Sequence, residues 1–320
     1  MAGNDRPLRI GTRGSRLARW QAERVAAVLE SRYPGLATTI VEIQSHGDLH
    51  GSAVAELGQV GIFTREIEQA VLGDEVDLAV HSLKDLPTAS PAGLVLAALL
   101  PRDDPRDLLV ARDLAGHTFT DSRAALAALR RGARIATSSL RRRAELLRAR
   151  GDLEVVELRG NVPTRLAKVE RGEVDGVVLS LAGILRLGLE PPGAIPLDPE
   201  LMLPAPAQGT IAIQVRADDV RVRPLVEAVD DAATRVCTTA ERLLLHELEG
   251  GCRVPLGALA TLAGDTVTLR ARLATADGKT VLEEMASTRS SAVADLAQRV
   301  AAALRARGAA RILSTLRDPL

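Results

Sequence analysis

From the N-terminus to about residue 180 the chain alternates short apolar runs with stretches in which apolar residues recur at helical spacing, and turn or cap residues mark each change of period. Leu8-Arg9-Ile10-Gly11 reads as a short buried strand. Ser15 can cap a helix running to about Tyr33, where Pro34-Gly35 stops it. Thr38 to Ile43 is the next strand, helical spacing resumes through Phe63, Ile67 and Val71, and Val76-Asp77-Leu78-Ala79-Val80 is a strand running into His81-Ser82-Leu83-Lys84-Asp85. After Pro105 the same order returns. Strands at Arg134 to Thr137, Leu153 to Leu158 and Gly176 to Leu179 are separated by helices at Leu140 to Arg150 and Val162 to Arg171. Strand and helix in alternation predict α/β architecture.

Two echoes tie the halves together. Arg9-Ile10-Gly11-Thr12 matches Arg134-Ile135-Ala136-Thr137, and Glu75-Val76-Asp77-Leu78-Ala79-Val80 matches Glu173-Val174-Asp175-Gly176-Val177-Val178, with Ser82-Leu83 answered by Ser180-Leu181. Their common order predicts two lobes of like topology with a cleft between them. The proline-rich stretch Pro191 to Pro206 reads as a connection, and Thr210 to Val215 as a strand returning to the first lobe. Beyond about Arg223 the grammar changes: a helix from Asp231 to Glu249, strands at Gly257 to Leu262, Val267 to Ala274 and Thr280 to Met285 with a hairpin turn at Asp277-Gly278, and a last helix from Ser291 to Arg307. The expected partition is 1–101 with 204–227, then 102–203, then a small α+β domain at 228–320.

With 41 basic and 41 acidic residues the formal charge is zero, so attraction to nucleic acid is not a default property, and a content of 46% hydrophobic residues in 320 is enough for each domain to bury a core. The aromatics Trp20, Tyr33, Phe63 and Phe119 are too few to stack single-stranded bases. Lysine occurs only at positions 84, 168 and 279, so nearly every basic side chain is arginine. Cys237 and Cys252 cannot make a disulfide framework or a four-cysteine zinc site, and no Cys/His spacing points to a metal. The start has no apolar signal region, and the longest apolar stretch, near Leu94 to Leu100, is far short of a membrane span. A soluble cytoplasmic protein is expected.

Candidate chemistry clusters at strand ends. Thr137, Ser138 and Ser139 place hydroxyls and exposed amides at a helix start with Arg141 and Arg142 just behind, a combination that binds anions. Arg13 and Ser15 offer the same in the first lobe. Arg159, Arg165 and Arg186 lie after strand ends or on nearby helices, and solvated helical arginines are the alternative for each. There is no Walker A pattern, so several carboxylates are as suitable a ligand as phosphate. Lys84 and Asp85 follow a strand, where α/β folds bind ligands; a surface ion pair is the plainer reading. His81 reads as a hydrogen-bonded core histidine. Cys252, in Glu249-Gly250-Gly251-Cys252-Arg253, is either an accessible thiol activated by Arg253 or a small buried side chain in a turn; Cys237 shares a helical face with Leu244 and Leu248 and is a core residue.

Taken together, Ile10-Gly11-Thr12-Arg13-Gly14-Ser15-Arg16-Leu17-Ala18, His81-Ser82-Leu83-Lys84-Asp85-Leu86-Pro87, Thr137-Ser138-Ser139-Leu140-Arg141-Arg142, Leu158-Arg159-Gly160-Asn161-Val162 and Glu249-Gly250-Gly251-Cys252 resemble the hydroxymethylbilane synthases, or porphobilinogen deaminases, across essentially the whole chain. The resemblance implies two lobes like those of type II solute-binding proteins plus a C-terminal domain carrying the cysteine. It also implies a dipyrromethane cofactor joined to Cys252 as a thioether, and head-to-tail condensation of four porphobilinogen molecules with loss of ammonia.

The same resemblance makes Asp85 the catalytic carboxylate, which stabilises the cation left as ammonia departs. Arg13, Ser15, Ser82, Lys84, Thr137, Ser138 and Ser139 would hold carboxylates of cofactor and substrate, together with Arg141, Arg142, Arg159, Arg165, Arg186 and Gln208. It further implies a monomer that passes its product to a uroporphyrinogen-III synthase, with no nucleic acid, membrane or metal involved. Two positions depart from the family pattern. Val60 stands where many members have lysine before Gly61-Ile62-Phe63, and His46 replaces arginine in Ser45-His46-Gly47-Asp48. A non-catalytic two-lobed anion receptor and a thiol enzyme using Cys252 as nucleophile are the competing readings.

Overall fold

In the computed structural model, which describes residues 6–43, 64–248 and 254–314, the alternation takes the form β1 (Leu8–Thr12), α1 (Arg16–Arg32), β2 (Thr38–Glu42), α2 (Arg65–Leu72), β3 (Leu78–Ser82) and β4 (Leu94–Leu99). There follow β5 (Asp107–Ala111), α3 (Ser122–Ala128), β6 (Arg134–Ala136), α4 (Leu140–Ala149), β7 (Glu154–Val156), α5 (Val162–Glu170), β8 (Gly176–Ser180), α6 (Leu181–Arg186) and β9 (Ala194–Leu197). Next come β10 (Ile211–Arg216), α7 (Val222–Glu227) and α8 (Ala232–Glu247), then β11 (Leu256–Ala263), β12 (Thr266–Ala274), β13 (Val281–Arg289), α9 (Val293–Ala306) and α10 (Ala309–Ser314). The described residues divide into two compact units, one drawn from 1–102 and 210–235, the other from 103–209 and 236–320.

The first unit holds a five-stranded sheet in the order β2-β1-β3-β10-β4, the second one in the order β7-β6-β8-β5-β9. In each, three parallel strands are followed by an antiparallel fourth. That fourth strand is β10 in the first sheet and β5 in the second. Both sequence echoes fall on matching places. Asp77 accepts the Arg9 N–H at 2.8 Å and returns its own N–H to the Arg9 carbonyl at 2.9 Å; Asp175 does the same for Arg134 at 2.7 and 2.9 Å. A buried aspartate thus clips two parallel strands together at the same point of each sheet, with arginine side chains balancing its charge.

The apolar alternation buries both faces of each sheet, as parallel strands require. In the first unit Ile10, Val25, Leu78 and Ile213 form the core under α1, and Ile67, Val71, Val76 and Ala79 the core under α2. In the second, Leu109, Leu126, Ile135 and Leu146 pack under α3 and α4, and Leu108, Val110, Leu166 and Leu179 under α5. Three strands exceed the sequence expectation: β4, β5 and β9. The last forms inside the proline-rich connection, where Pro196 is tolerated because β9 is an edge strand lacking a second partner for its missing N–H.

Within the second unit, β11-β12-β13 make an antiparallel sheet whose one face packs on α8, α9 and α10 through Leu244, Val267, Leu269, Leu273, Leu296 and Leu304. Cys237 belongs to this core. The other face meets the segment that follows β9 closely enough that a Cβ on Gly257 would lie 2.6 Å from Leu203 Cβ. Arg272 ends there in a buried ion pair with Glu145 of α4 at 2.9 Å.

Candidate active site

In the first unit the expected residues lie at the ends of β1 and β3. Ser15 Oγ accepts the Ala18 N–H at 3.2 Å and opens α1, and Thr12 Oγ1 donates to the Ala18 carbonyl at 3.0 Å, so the loop carrying Arg13 is fixed on both sides. Ser82 Oγ accepts from Gln21 Nε2 at 2.9 Å. A short 3₁₀ turn over Leu83–Asp85 then sets the polarity of the next residues. Leu83 and Leu86 are buried on either side of it, and Leu83 N–H is tied to the Thr210 carbonyl at 3.0 Å, which leaves Lys84 half-buried and Asp85 exposed.

Behind this turn, under α2, lies a polar layer. Gln214 Nε2 donates to Glu68 Oε1 at 3.2 Å, and His81 is buried beside them. Burial holds the imidazole's pKa down at about 4, with Arg13's charge acting the same way and the Gln214 side chain opposing it, so His81 is neutral at pH 7. Glu68 is pushed up by its own burial, against the Gln214 hydrogen bond. His81 thus sits in the core as expected, but its Nε2 has no hydrogen-bond partner among the described residues.

In the second unit Ser139 caps α4, accepting from Arg142 N at 3.4 Å, while Thr137 is buried with its Oγ1 accepting the Ser139 N–H at 3.2 Å; Ser138 is exposed. Arg141 and Arg142, one turn on, are both buried against a single carboxylate. Asp107 Oδ2 accepts from Arg141 Nη1 at 2.7 Å, and its Oδ1 accepts from Arg142 Nη2 and Nε at 2.8 and 3.0 Å. Gln208 Nε2 adds a bond to Oδ1 at 3.0 Å and one to the Pro105 carbonyl at 2.7 Å. Burial raises the Asp107 carboxyl, but the charges of the two arginines and the hydrogen bonds from Arg141 and Gln208 outweigh it and hold it well below the usual carboxylate range. Arg165 is close enough to Arg142 that, after burial, Arg142's charge is the next cause of its lowered pKa.

The structure therefore brings Arg141, Arg142 and Gln208 together, with Arg165 alongside. Arg186 is buried in its own contacts, to Asp103 Oδ2 at 2.8 Å and the Gly209 carbonyl at 2.6 Å, and Arg159 is an exposed partner of Glu157. Sequence reasoning missed two residues. Asp107 had a signal: it opens an apolar strand in phase with Leu109 and Ala111, on a face that should be core. Glu241 had none. Fully buried on α8, it accepts the Ala207 and Ala260 N–H groups at 2.6 and 2.7 Å and so fixes the turn, with Ala207 at φ +62°, that presents Gln208.

Two guanidinium groups, Arg141 and Arg142, share the one carboxylate of Asp107, and Arg141 Nε is a buried donor with no hydrogen-bond partner among the described residues. A group bearing several carboxylates fits that donor set, as a dipyrromethane with its acetate and propionate arms does. Cys252, His46, Val60 and Phe63 lie outside the described residues.

The fold and these groups define an α/β protein with an exposed aspartate after a strand of its first sheet and a buried arginine pair sharing one aspartate beside its second. Residues 8–224 match the family model "Porphobilinogen deaminase, dipyromethane cofactor binding domain" and residues 235–306 match "Porphobilinogen deaminase, C-terminal domain". Porphobilinogen deaminases of Moorella thermoacetica and Syntrophotalea carbinolica are 44% and 45% identical, each over 97% of this chain and 96% of their own length; that of Xanthomonas campestris is 44% identical over 97% and 99%. The chain belongs to the porphobilinogen deaminase family. Among solved structures, a probable amino-acid ABC transporter extracellular-binding protein from Bacillus subtilis overlays at TM-score 0.40 and 11% identity, covering 70% of this chain and 90% of that one, too loosely to align a site.

Proposed function

We propose that the chain condenses four porphobilinogen molecules head to tail on a dipyrromethane primer held by Cys252 through a thioether, releasing ammonia at each addition, and that water then cleaves the four added rings from the primer as linear hydroxymethylbilane, leaving the primer on the protein. When bound, the primer supplies the nucleophilic pyrrole carbon and the first ring carboxylates. The observation that carries the reading is the buried arginine pair around Asp107, whose excess positive charge and unpartnered Arg141 Nε suit a ligand with several carboxylates.

Asp85 is the catalytic carboxylate in this reading. As the substrate's carbon–nitrogen bond breaks and ammonia leaves, positive charge spreads over the pyrrole, and a fixed carboxylate stabilises it. The exposure of Asp85 at the end of a turn pinned by Leu83 and Leu86 supports that role, because a substrate can reach it without unfolding. Arg13, Ser15, Ser82 and Lys84 in the first unit, with Thr137, Ser138, Ser139, Arg159, Arg165, Arg186 and Gln208 in the second, hold carboxylates. No helix among the described residues is long and apolar enough to cross a membrane. The enzyme acts as a cytoplasmic monomer of three domains, and its unstable linear product passes to a uroporphyrinogen-III synthase.

Denatured intact mass of the parent and of Cys252→Ser tests this directly. An excess equal to one dipyrrole, present in the parent and absent in the variant, with a positive Ehrlich colour reaction, is the expected result. A parent that stays unmodified after incubation with porphobilinogen would leave a two-lobed anion receptor as the better reading.

A further inference from the structure

We propose that Asp107 is a positioning residue, which binds Arg141, Arg142 and Gln208 into one cluster so that Arg141 is held with its Nε–H turned to an incoming carboxylate. The proposal rests on the reading above, that this cluster serves pyrrole carboxylates.

Three observations carry it. The cluster is not needed to build the fold, because the first unit makes the same sheet and helix without it. Counted from the capping serines Ser15 and Ser139, Leu17 and Ala18 stand where Arg141 and Arg142 stand, and Ile211, paired with Ser82, stands where Asp107 is paired with Ser180. All three positions change together, from apolar in one unit to charged in the other, which is the pattern of a carboxylate present for the sake of its two arginines. Nor is the cluster satisfied within itself. Arg141 Nη1 is committed to Asp107 and to the Leu203 carbonyl at 2.6 Å, yet its Nε–H, fully buried, has no partner among the described residues. A buried guanidinium N–H left this way is costly unless a ligand completes it. Finally, one carboxylate faces two arginines directly, so the cluster keeps positive charge for an anion while Asp107 limits the mutual repulsion that would otherwise drive the arginines apart.

Full-length Asp107→Asn and the triple variant Asp107→Ile/Arg141→Leu/Arg142→Ala, which copies the first unit, separate positioning from mere packing. Each is read by melting temperature, by the fraction carrying the dipyrrole on denatured intact mass, and by KM and kcat for porphobilinogen in the loaded fraction. Asp107→Asn is expected to lower the loaded fraction and raise KM at least about tenfold, with kcat in loaded molecules changed much less. The triple variant is expected to melt near the parent and still load less than about a tenth as well. A triple variant that melts and loads like the parent would overturn the proposal, and so would an Asp107→Asn chain with parental loading and KM. Should the triple variant not fold, the KM-against-kcat split of Asp107→Asn decides alone. A parent that carries no dipyrrole even after incubation with porphobilinogen fails the functional reading itself, a result visible without any variant at position 107, and the proposal falls with it.

Discussion

The two sheets share strand order, antiparallel fourth strand and buried aspartate clip, yet they place their polar groups on opposite faces. In the first unit the face under α1 is apolar at Ile211, and the face under α2 carries Glu68, His81 and Gln214. In the second unit the face under α4 carries Asp107 with its arginines, and the face under α5 is apolar at the matching Leu166, Leu179 and Val110. One backbone plan has been filled with two chemistries, a Glu–His–Gln polar layer in one case and arginine–aspartate ion pairing in the other. Topology tolerates either because the backbone pairing of each sheet does not depend on what fills these positions. What a duplicated fold does must therefore be read from the side chains of each copy separately.

The sharpest contrast is at the end of the third parallel strand. Asp85 follows β3 in an exposed turn, whereas the matching place after β8 is Gly183, buried within α6. Asp85→Ala should leave melting unchanged and lower turnover by at least about a hundredfold, the worth of a single preorganised electrostatic group. A folded variant with near-parental kcat would remove the functional difference between the strand ends. Next in size is the pair six residues beyond each capping serine, Gln21 and Glu145, both buried. Arg272→Ala leaves buried Glu145 with the Arg148 pair but without its buried partner and should cost about 3 kcal/mol in urea unfolding, against roughly 1 kcal/mol for Gln21→Ala, which loses one neutral hydrogen bond to Ser82. Equal losses would mean that the charged filling is no more demanding than the neutral one.

Acid separates the two chemistries by pH window. His81 is neutral when folded down to about pH 4 and titrates near 6.5 when unfolded. Between those values the unfolded chain binds the extra proton, so the first unit should lose stability as pH falls from about 6.5 to about 4, by roughly 3 kcal/mol in all. Glu68, whose pKa is raised in the fold, works in the opposite sense: its contribution is present below its unfolded value and fades as pH rises through the folded one. Asp107 is depressed, so the second unit's ion cluster should weaken only below about pH 3.9. Urea midpoints measured from pH 7 to 4 should slope in the parent, flatten in His81→Asn and steepen in Glu68→Gln. Parallel slopes in all three chains would show that His81 does not set the acid response.

Legibility in the sequence followed the strength of local patterning. Ser15 and Ser139 were readable as caps and Leu8-Arg9-Ile10-Gly11 as a strand, because caps and apolar runs act over neighbouring residues. The internal echo was readable too, and it falls on the Asp77 and Asp175 clips. The strands β5 and β9 were not, since an edge strand containing Pro196 and a short strand opened by a charged residue lack the usual signals, and both exist through pairing with residues distant in the chain. The arginines stood out as candidate anion ligands from their place at a helix start. That two of them share Asp107, which lies more than thirty positions earlier in the chain, is a tertiary fact that no spacing rule contains.

The smallest effect tests the part of the comparison in which the units agree. Ser15 and Ser139 are both in extended backbone and each accepts an N–H three residues on, at 3.2 and 3.4 Å. Ser15→Ala and Ser139→Ala should each cost about 1 kcal/mol, the usual worth of an N-cap, and the two losses should add in the double variant because the caps share no partner. Their kinetic consequences should nevertheless differ. Loosening the first turn of α1 disturbs Leu17 and Ala18, which face no buried carboxylate at the matching Ile211, whereas loosening the first turn of α4 shifts Arg141 and Arg142 against Asp107. Ser139→Ala should therefore raise KM for porphobilinogen more than Ser15→Ala at equal loss of stability. If the two variants instead change KM alike, the ion-paired filling confers no greater sensitivity in the second unit than the apolar Leu17, Ala18 and Ile211 do in the first.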